Sequence, residues 1–452
     1  MKVSQWHFRP QQLLQRRRPF LILGLLIVLL LGVWLFLQQT VLSAKPSVTL
    51  HILVQNIEIP EWKPLIEEFN KKYQMKHITI ELVEGPDATD SIEKIYANDF
   101  KGEDEPFFDL VYMDIIWVAK FAHEKWLHDL ENDFREELEN FLPNDVKGGR
   151  YYGKLYRIPF HSDVGMLYYR EDLLEDKPPE TFEDLMAISK DLQQKDKVNW
   201  GYLWQGQQYE GLVAMFLEVL HGYGGSWIKD ETGEVGLNQQ QAFDAVKFLL
   251  STISKDKEKG ISPEAVTVYQ EEETRLLFQK GEAVFLRNWP YVWAKVNAED
   301  TQVRGKIQMK PMVHAKGYRS FACQGGWGLG ISSKTKHKVE ALEAIKFFTS
   351  ADVQWKYALK TGNTPSRRAL FNDPQLIKRY SYYPMLLEVL ENNSVLRPRI
   401  PNYEKVSLIL QDYLHQALEG QLDPQKAMTE AADKTCKELK NVGYANKENA
   451  SC

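Results

Sequence analysis

Cysteine is scarce in this chain of 452 residues, with Cys323, Cys436 and Cys452 its full complement. Three scattered thiols are too few for a disulfide framework or a thiolate metal site. One Cys323–Cys436 bridge is open to the chain, but nothing local demands it. Positive charge is also short: 56 basic residues face 62 acidic ones, for a formal −6, so nucleic acid is not an expected partner. No glycine-rich phosphate loop, Walker A sequence or nucleophile elbow is present, which weighs against NTP hydrolysis and serine esterase chemistry. His123, Glu124 and His128 resemble a zinc-protease helix only superficially. That chemistry needs histidines four apart on one face, and these are five apart. Internal repeats are absent too. The chain is therefore expected to need no metal, no cofactor and no catalytic residue of its own. A glycoside hydrolase needs only two facing carboxylates, so it remains the enzymatic alternative in a chain this rich in acids.

Long apolar runs are missing with one exception. Arg16, Arg17 and Arg18 precede an uncharged stretch from Phe20 to Leu37, FLILGLLIVLLLGVWLFL. A secretory apolar region spans ~7–15 residues and a membrane-crossing helix ~17–25, so this run favours a retained transmembrane anchor. The arginines ahead of it predict a cytoplasmic segment 1–19, an anchor 20–37, and a body on the outer face of the membrane. The first 37 residues hold five basic residues and no acid, which leaves the body at a formal −11.

The body is 44% hydrophobic with 26% charged residues over the whole chain, a globular balance. Its length exceeds what one core usually fills, so two lobes with a cleft are expected. Apolar patterning predicts strands over 48–54, 78–83 and 108–113, alternating with helices over 62–73, 92–100 and 115–125. Such alternation implies an α/β sheet with parallel strands, and Asp114 falls at a carboxyl end, where ligands collect in open sheets. Further helices are predicted over 181–195, 240–253, 338–349, 351–360, 406–418 and 424–439, with a frayed tail over 441–452.

Four stretches combine aromatic, amide and acidic residues with Gly or Pro: RIPFHSDVGMLYYR, WGYLWQGQQYEG, RNWPYVW and GGWGLGI. A sugar ring offers apolar faces that suit indole and phenol rings, and hydroxyl edges that need carboxylates and amides. Trp289, Tyr291 and Trp327 suit the faces. Asp114, Asp163 and Glu58 suit the edges, because a carboxylate accepts strongly from vicinal hydroxyls. Most of the 12 Trp, 21 Tyr and 21 Phe must nonetheless be core.

At these motifs, together with FQKGEAVFLRNWPYVW and GGWGLGISSKTKHKVEALEAIKFFTS, the chain resembles the extracellular solute-binding proteins of sugar ABC importers, nearest the trehalose- and maltose-binding branch. The likeness runs from about Val48 to about Leu439. It implies the type II periplasmic-binding-protein fold: two discontinuous α/β lobes, 48–160 plus 327–365 and 161–326 plus 366–440, with the ligand cleft at the hinge. Crossings are then expected near 158–164, 324–328 and 365–368. The resemblance carries sugar contacts onto Asp114, Asp163, Trp289, Tyr291, Gly325, Gly326 and Trp327, with Glu58, and onto Arg397 or Arg399 as a bidentate donor. His161 beside Asp163 departs from the usual pattern and bears on which sugar is accepted. The implied partners are a disaccharide or small glycoside and an ABC permease with its cytoplasmic ATPase, met by a monomer at the outer face of the cytoplasmic membrane. A sugar sensor for a signalling partner is the other alternative.

Overall fold

The stretch VTLHILVQ, with Leu50 and residues 52–54 buried, forms the first strand, β1 (Val48–Gln55), one strand in from an edge of the larger of two main sheets. The computed structural model describes residues 47–444, apart from 103, 230, 231 and 255–259, together with residues 26 and 29–31. The expected anchor Phe20–Leu37 thus lies outside the described residues except at those four leucines. Among the described residues no helix is long and apolar enough to cross a membrane.

Beside β1 run β2 (Ile78–Gly85) and β3 (Leu110–Asp114), both parallel to it. The helix between the first two strands, Ile59–Tyr73, turns Trp62, Leu65, Ile66, Phe69 and Tyr73 inward, the spacing of one helical face. Trp62 meets Tyr112, Phe160 and Phe348 there. Later segments complete this sheet: β4 (Ile158–Val164), the long β9 (Ala322–Ile331) and two short pieces, β10 (Thr364–Pro365) and β11 (Ser394–Val395). The order is β10-β4-β9-β3-β1-β2, with β11 beside the start of β9. The parallel start is as expected, whereas β9 is antiparallel to both β3 and β4.

The second sheet contains β5 (Met166–Arg170), β6 (Trp200–Leu203), β7 (Ala283–Asn288) and β8 (Ile307–Lys310), in the order β8-β5-β7-β6. Helices dominate this lobe. Glu210–Gly222 is buried on every side except at His221; its apolar residues run all round the helix, and its two buried acids, Glu210 and Glu218, are paired with arginines. Gln240–Thr252, Tyr403–Leu418 and Pro424–Asn441 pack about it and one another. Phe182–Gln194 begins at a capping box in which Thr181 and Asp184 satisfy each other's backbone N–H.

The first crossing between sheets is a single residue, Gly165, between β4 and β5. A second runs from β8 to β9, and a third follows β10. Strand β4 pairs with residues 324–329 of β9 in the first sheet, and Ala322 and Cys323 pair with β11 there, so residues 161–164 leave that sheet later, and residues 322–326 enter it earlier, than the boundaries at 160/161 and 326/327 would have them. Cys323 is a buried free thiol, and the Cys323–Cys436 bridge is not formed.

Candidate functional site

A cavity of ≈ 460 Å³ opens between the two sheets at the carboxyl ends of β1 and β3. Glu58, Asp114, Asp163, Trp289, Tyr291, Gly325, Gly326, Trp327 and Arg397 all line it. Arg399 does not: its Nη1 donates to the Lys147 carbonyl at 3.2 Å, beside Ile115 and Gly148. One residue, Pro398, separates the arginines; a regular extended segment would put both on one face, so their spacing could not rank them.

Asp114 ends β3 and accepts from the Ile116 N–H at 3.2 Å, which starts the short helical turn that follows. Thr89 Oγ1 donates to its other oxygen at 3.3 Å. Arg397, 6% exposed, reaches Asp114 Oδ1 through Nη2 at 3.4 Å and Glu210 Oε1 through Nη1 at 2.8 Å. It therefore ties the first sheet to the N-terminus of the second lobe's central helix. Burial alone would weaken its charge, but the Asp114 and Glu210 carboxylates hold its pKa well above the ordinary arginine value. Tyr403 and Ser407 also donate to Glu210. Of the arginine's nitrogens, Nε is buried without a hydrogen-bond partner.

The opposite wall is aromatic. Trp289 Nε1 donates to Glu271 Oε1 at 3.1 Å, Tyr209 donates to the other Glu271 oxygen at 2.7 Å, and Tyr291 donates to Glu272 at 2.8 Å. These bonds fix the rings. Behind Trp289 stands the Arg287 guanidinium, 4.1 Å from the ring centroid, its charge held by the fully buried Glu218 through bonds of 2.6 and 2.8 Å. Trp327 is different. Only 9% exposed, it packs against Tyr112 and Trp117.

The floor is a stack of titratable groups. His161, 3% exposed, accepts or donates at 3.0 Å with the Tyr112 hydroxyl through Nε2, which also lies 3.7 Å from Glu58. Its Nδ1 is 3.9 Å from Asp163 and has no hydrogen-bond partner. Burial pushes the Asp163 carboxyl up to about 7; Glu58 and Asp145 add to this, and His161 and Arg287 oppose it. Opposite these groups the backbone comes close. A Cβ at Gly325 would meet the Asp163 Cβ at 3.3 Å and the Trp289 ring at 3.5 Å, and Gly326, at φ +114, would strike the His161 carbonyl at 2.7 Å. Glycine is required at the second of these positions by conformation as well as space.

Several lining residues escaped the sequence reading. Tyr209 and Glu210 stood in WGYLWQGQQYEG, one of the four aromatic stretches, and that was their only signal. Glu271 and Glu272 belong to a run of three acids at a helix start, a pattern that reads as a solvated face. Among the described residues no group of His, Cys, Asp and Glu could hold a metal ion.

Comparison with known proteins places this geometry. A family profile described as bacterial extracellular solute-binding protein matches residues 56–355. A probable ABC transporter-binding protein of Deinococcus radiodurans is 29% identical over 362 residues, 77% of this chain and 84% of that protein. The maltotriose-binding protein of Pyrococcus abyssi is 23% identical over 72% of this chain and 69% of its own. The solved structure of maltose-bound T. maritima MalE3 covers 87% of this chain and 100% of its own, at 35% identity and a TM-score of 0.80. The chain belongs to the bacterial extracellular solute-binding proteins, with their two-lobed α/β fold, and that family is one of binding proteins rather than enzymes.

Proposed function

From this family membership, we propose that the chain is the sugar-capturing subunit of an ABC importer, binding a disaccharide or small glycoside of the trehalose, maltose, sucrose or glucosylglycerol type. The observation that carries the reading is the pairing of walls. Rings fixed by Glu271 and Glu272 face a carboxylate floor of Glu58, Asp114 and Asp163 across a cavity of ≈ 460 Å³. A ring such as Trp289 covers the apolar face of a pyranose, and the carboxylates accept from its hydroxyls. The T. maritima relative holds maltose, which accords with this chemistry. Captured sugar would pass to a membrane permease driven by a cytoplasmic ATPase, and the Phe20–Leu37 run would keep a monomeric receptor at the extracytoplasmic face of the membrane.

The test is a thermal-shift screen of residues 45–452 against these sugars, with product analysis of each hit, because a ligand that binds only the folded state raises its stability. A stabilising sugar recovered intact supports the reading and names the ligand. A sugar recovered cleaved would make the chain a hydrolase, and the absence of any stabilising sugar would overturn the proposal.

A further inference from the structure

Beside the cavity lies a larger groove of ≈ 810 Å³, and the two share Glu61, Lys295 and Thr361 in their linings. A ligand seated in the first can therefore run directly into the second. Their charge is opposite in sign. The cavity is lined by nine carboxylic acids against two basic side chains, Lys295 and Arg397. The groove is lined by five basic side chains, Arg275, Lys295, Arg304, Lys360 and Arg379, against three acids.

Pairing within the groove sharpens the contrast. Arg275 is neutralised by two-point contact with Glu272 at 2.9 and 2.6 Å. Arg304 is only 4.0 Å from an exposed Glu299. Lys295, Lys360 and Arg379 line the groove without a salt bridge within 4.0 Å among the described residues; Arg379 stands over the Tyr380 ring at 5.9 Å, and the groove keeps a net excess of positive charge. Trp293 and Tyr380 supply apolar surface between them.

Resting on the sugar-binding reading above, we infer that this groove is a second subsite that takes an anionic group, a phosphate or carboxylate, carried on the distal end of the sugar ligand. The charge gradient also sets orientation. A fixed negative charge is repelled by the acid-lined cavity and accepted only at the groove end, so the neutral ring must enter the cavity and the anion must trail toward Lys360 and Arg379. The cations are solvent-facing, so their pull is screened by salt and moderate in size.

Isothermal titration at low salt tests this with matched pairs: trehalose against trehalose 6-phosphate for the phosphate arm, and maltose against maltobionate for the carboxylate arm. At least one anionic sugar is expected to bind about tenfold more tightly than its neutral parent, the gain of a few screened charge contacts. The double variant Lys360→Ala/Arg379→Ala touches the groove alone; it is expected to abolish that preference and to leave the neutral parent's affinity unchanged. Which arm responds identifies the anion. Anionic sugars that bind no better than their parents would overturn the second subsite while leaving sugar capture intact, and so would a preference that survives in the double variant. Failure of all four sugars to bind would sink the sugar reading itself, and the subsite with it.

Discussion

The Asp163 carboxyl lies 3.9 Å from His161 Nδ1 on the cavity floor, and burial holds its pKa up at about 7. An unfolded aspartate titrates near 3.9, so between about pH 4 and 7 the folded protein keeps a proton that the unfolded chain has released. The destabilisation is absent below about pH 4, grows as pH rises and is complete above about 7. Asp163→Asn is therefore expected to raise the melting temperature relative to the parent at pH 8 and not at pH 4, read by scanning calorimetry. Ligand binding should run the other way. Sugar hydroxyls bond best to the ionised carboxylate, so sugar affinity should rise from pH 5.5 to 8.5 in the parent and stay nearly flat in the variant. The groups facing this carboxyl are Glu58, His161, Asp145 and Arg287, and burial raises the Asp145 carboxyl to about 6. On the facing wall, Trp289→Ala is expected to weaken sugar binding by about 1–3 kcal/mol through lost ring contact, with unfolding unchanged; equal affinity by titration calorimetry would remove Trp289 from the site. These residues could be read in advance because Pro, Gly and aromatic neighbours marked their loops. Glu210 and Glu271 could not. Their roles come from partners far away in sequence, Arg397 and Trp289, which only the folded chain brings near.

Helices and strands with clear apolar spacing lie where that spacing predicts them, as at Gln240–Thr252 and Ala351–Thr361. The predicted helix over 115–125 is instead a tight turn, Ile115–Trp117, started by the Asp114 side chain, followed by a helix that stops at His123. Lys125, at φ 59, then reverses the chain. The crossing between sheets was harder to place, because a link of one glycine carries no turn signature. What holds it is tertiary. A Cβ at Gly165 would fall 1.9 Å from Glu218 Oε1 and 2.5 Å from Arg287 Nη2. The same Glu218 accepts from the Cys323 N–H at the start of β9. One buried ion pair thus touches both the first and second crossings and, through Arg287, the back of Trp289. Removing the carboxylate charge leaves a buried guanidinium unpaired, a change worth about 3–5 kcal/mol. Glu218→Gln is therefore expected to lose stability on that scale in urea unfolding. A loss below about 1 kcal/mol would show that the pair does not hold the crossings.

Across the whole molecule, the first 37 residues are net positive and the body is net negative, with nine acids lining the cavity. Where two lobes are joined by a few crossings, a ligand can draw them together only through contacts it makes better in the closed arrangement. The arrangement of the walls supplies such contacts. Trp289 and Tyr291 follow a strand of the second sheet, whereas Asp114 and Asp163 belong to strands of the first, so one sugar can satisfy both only by drawing the lobes together. Arg397 spans the gap from Asp114 to Glu210, which limits how far the lobes can separate. A stabilising sugar is therefore expected to reduce the radius of gyration in small-angle scattering. Trp289→Ala combined with Asp163→Asn should show no contraction at the same sugar concentration, while Arg397→Ala should begin from a larger radius in the absence of sugar. If the parent does not contract under saturating sugar, capture occurs without lobe closure, and the opposed walls of the cavity act as a preformed site.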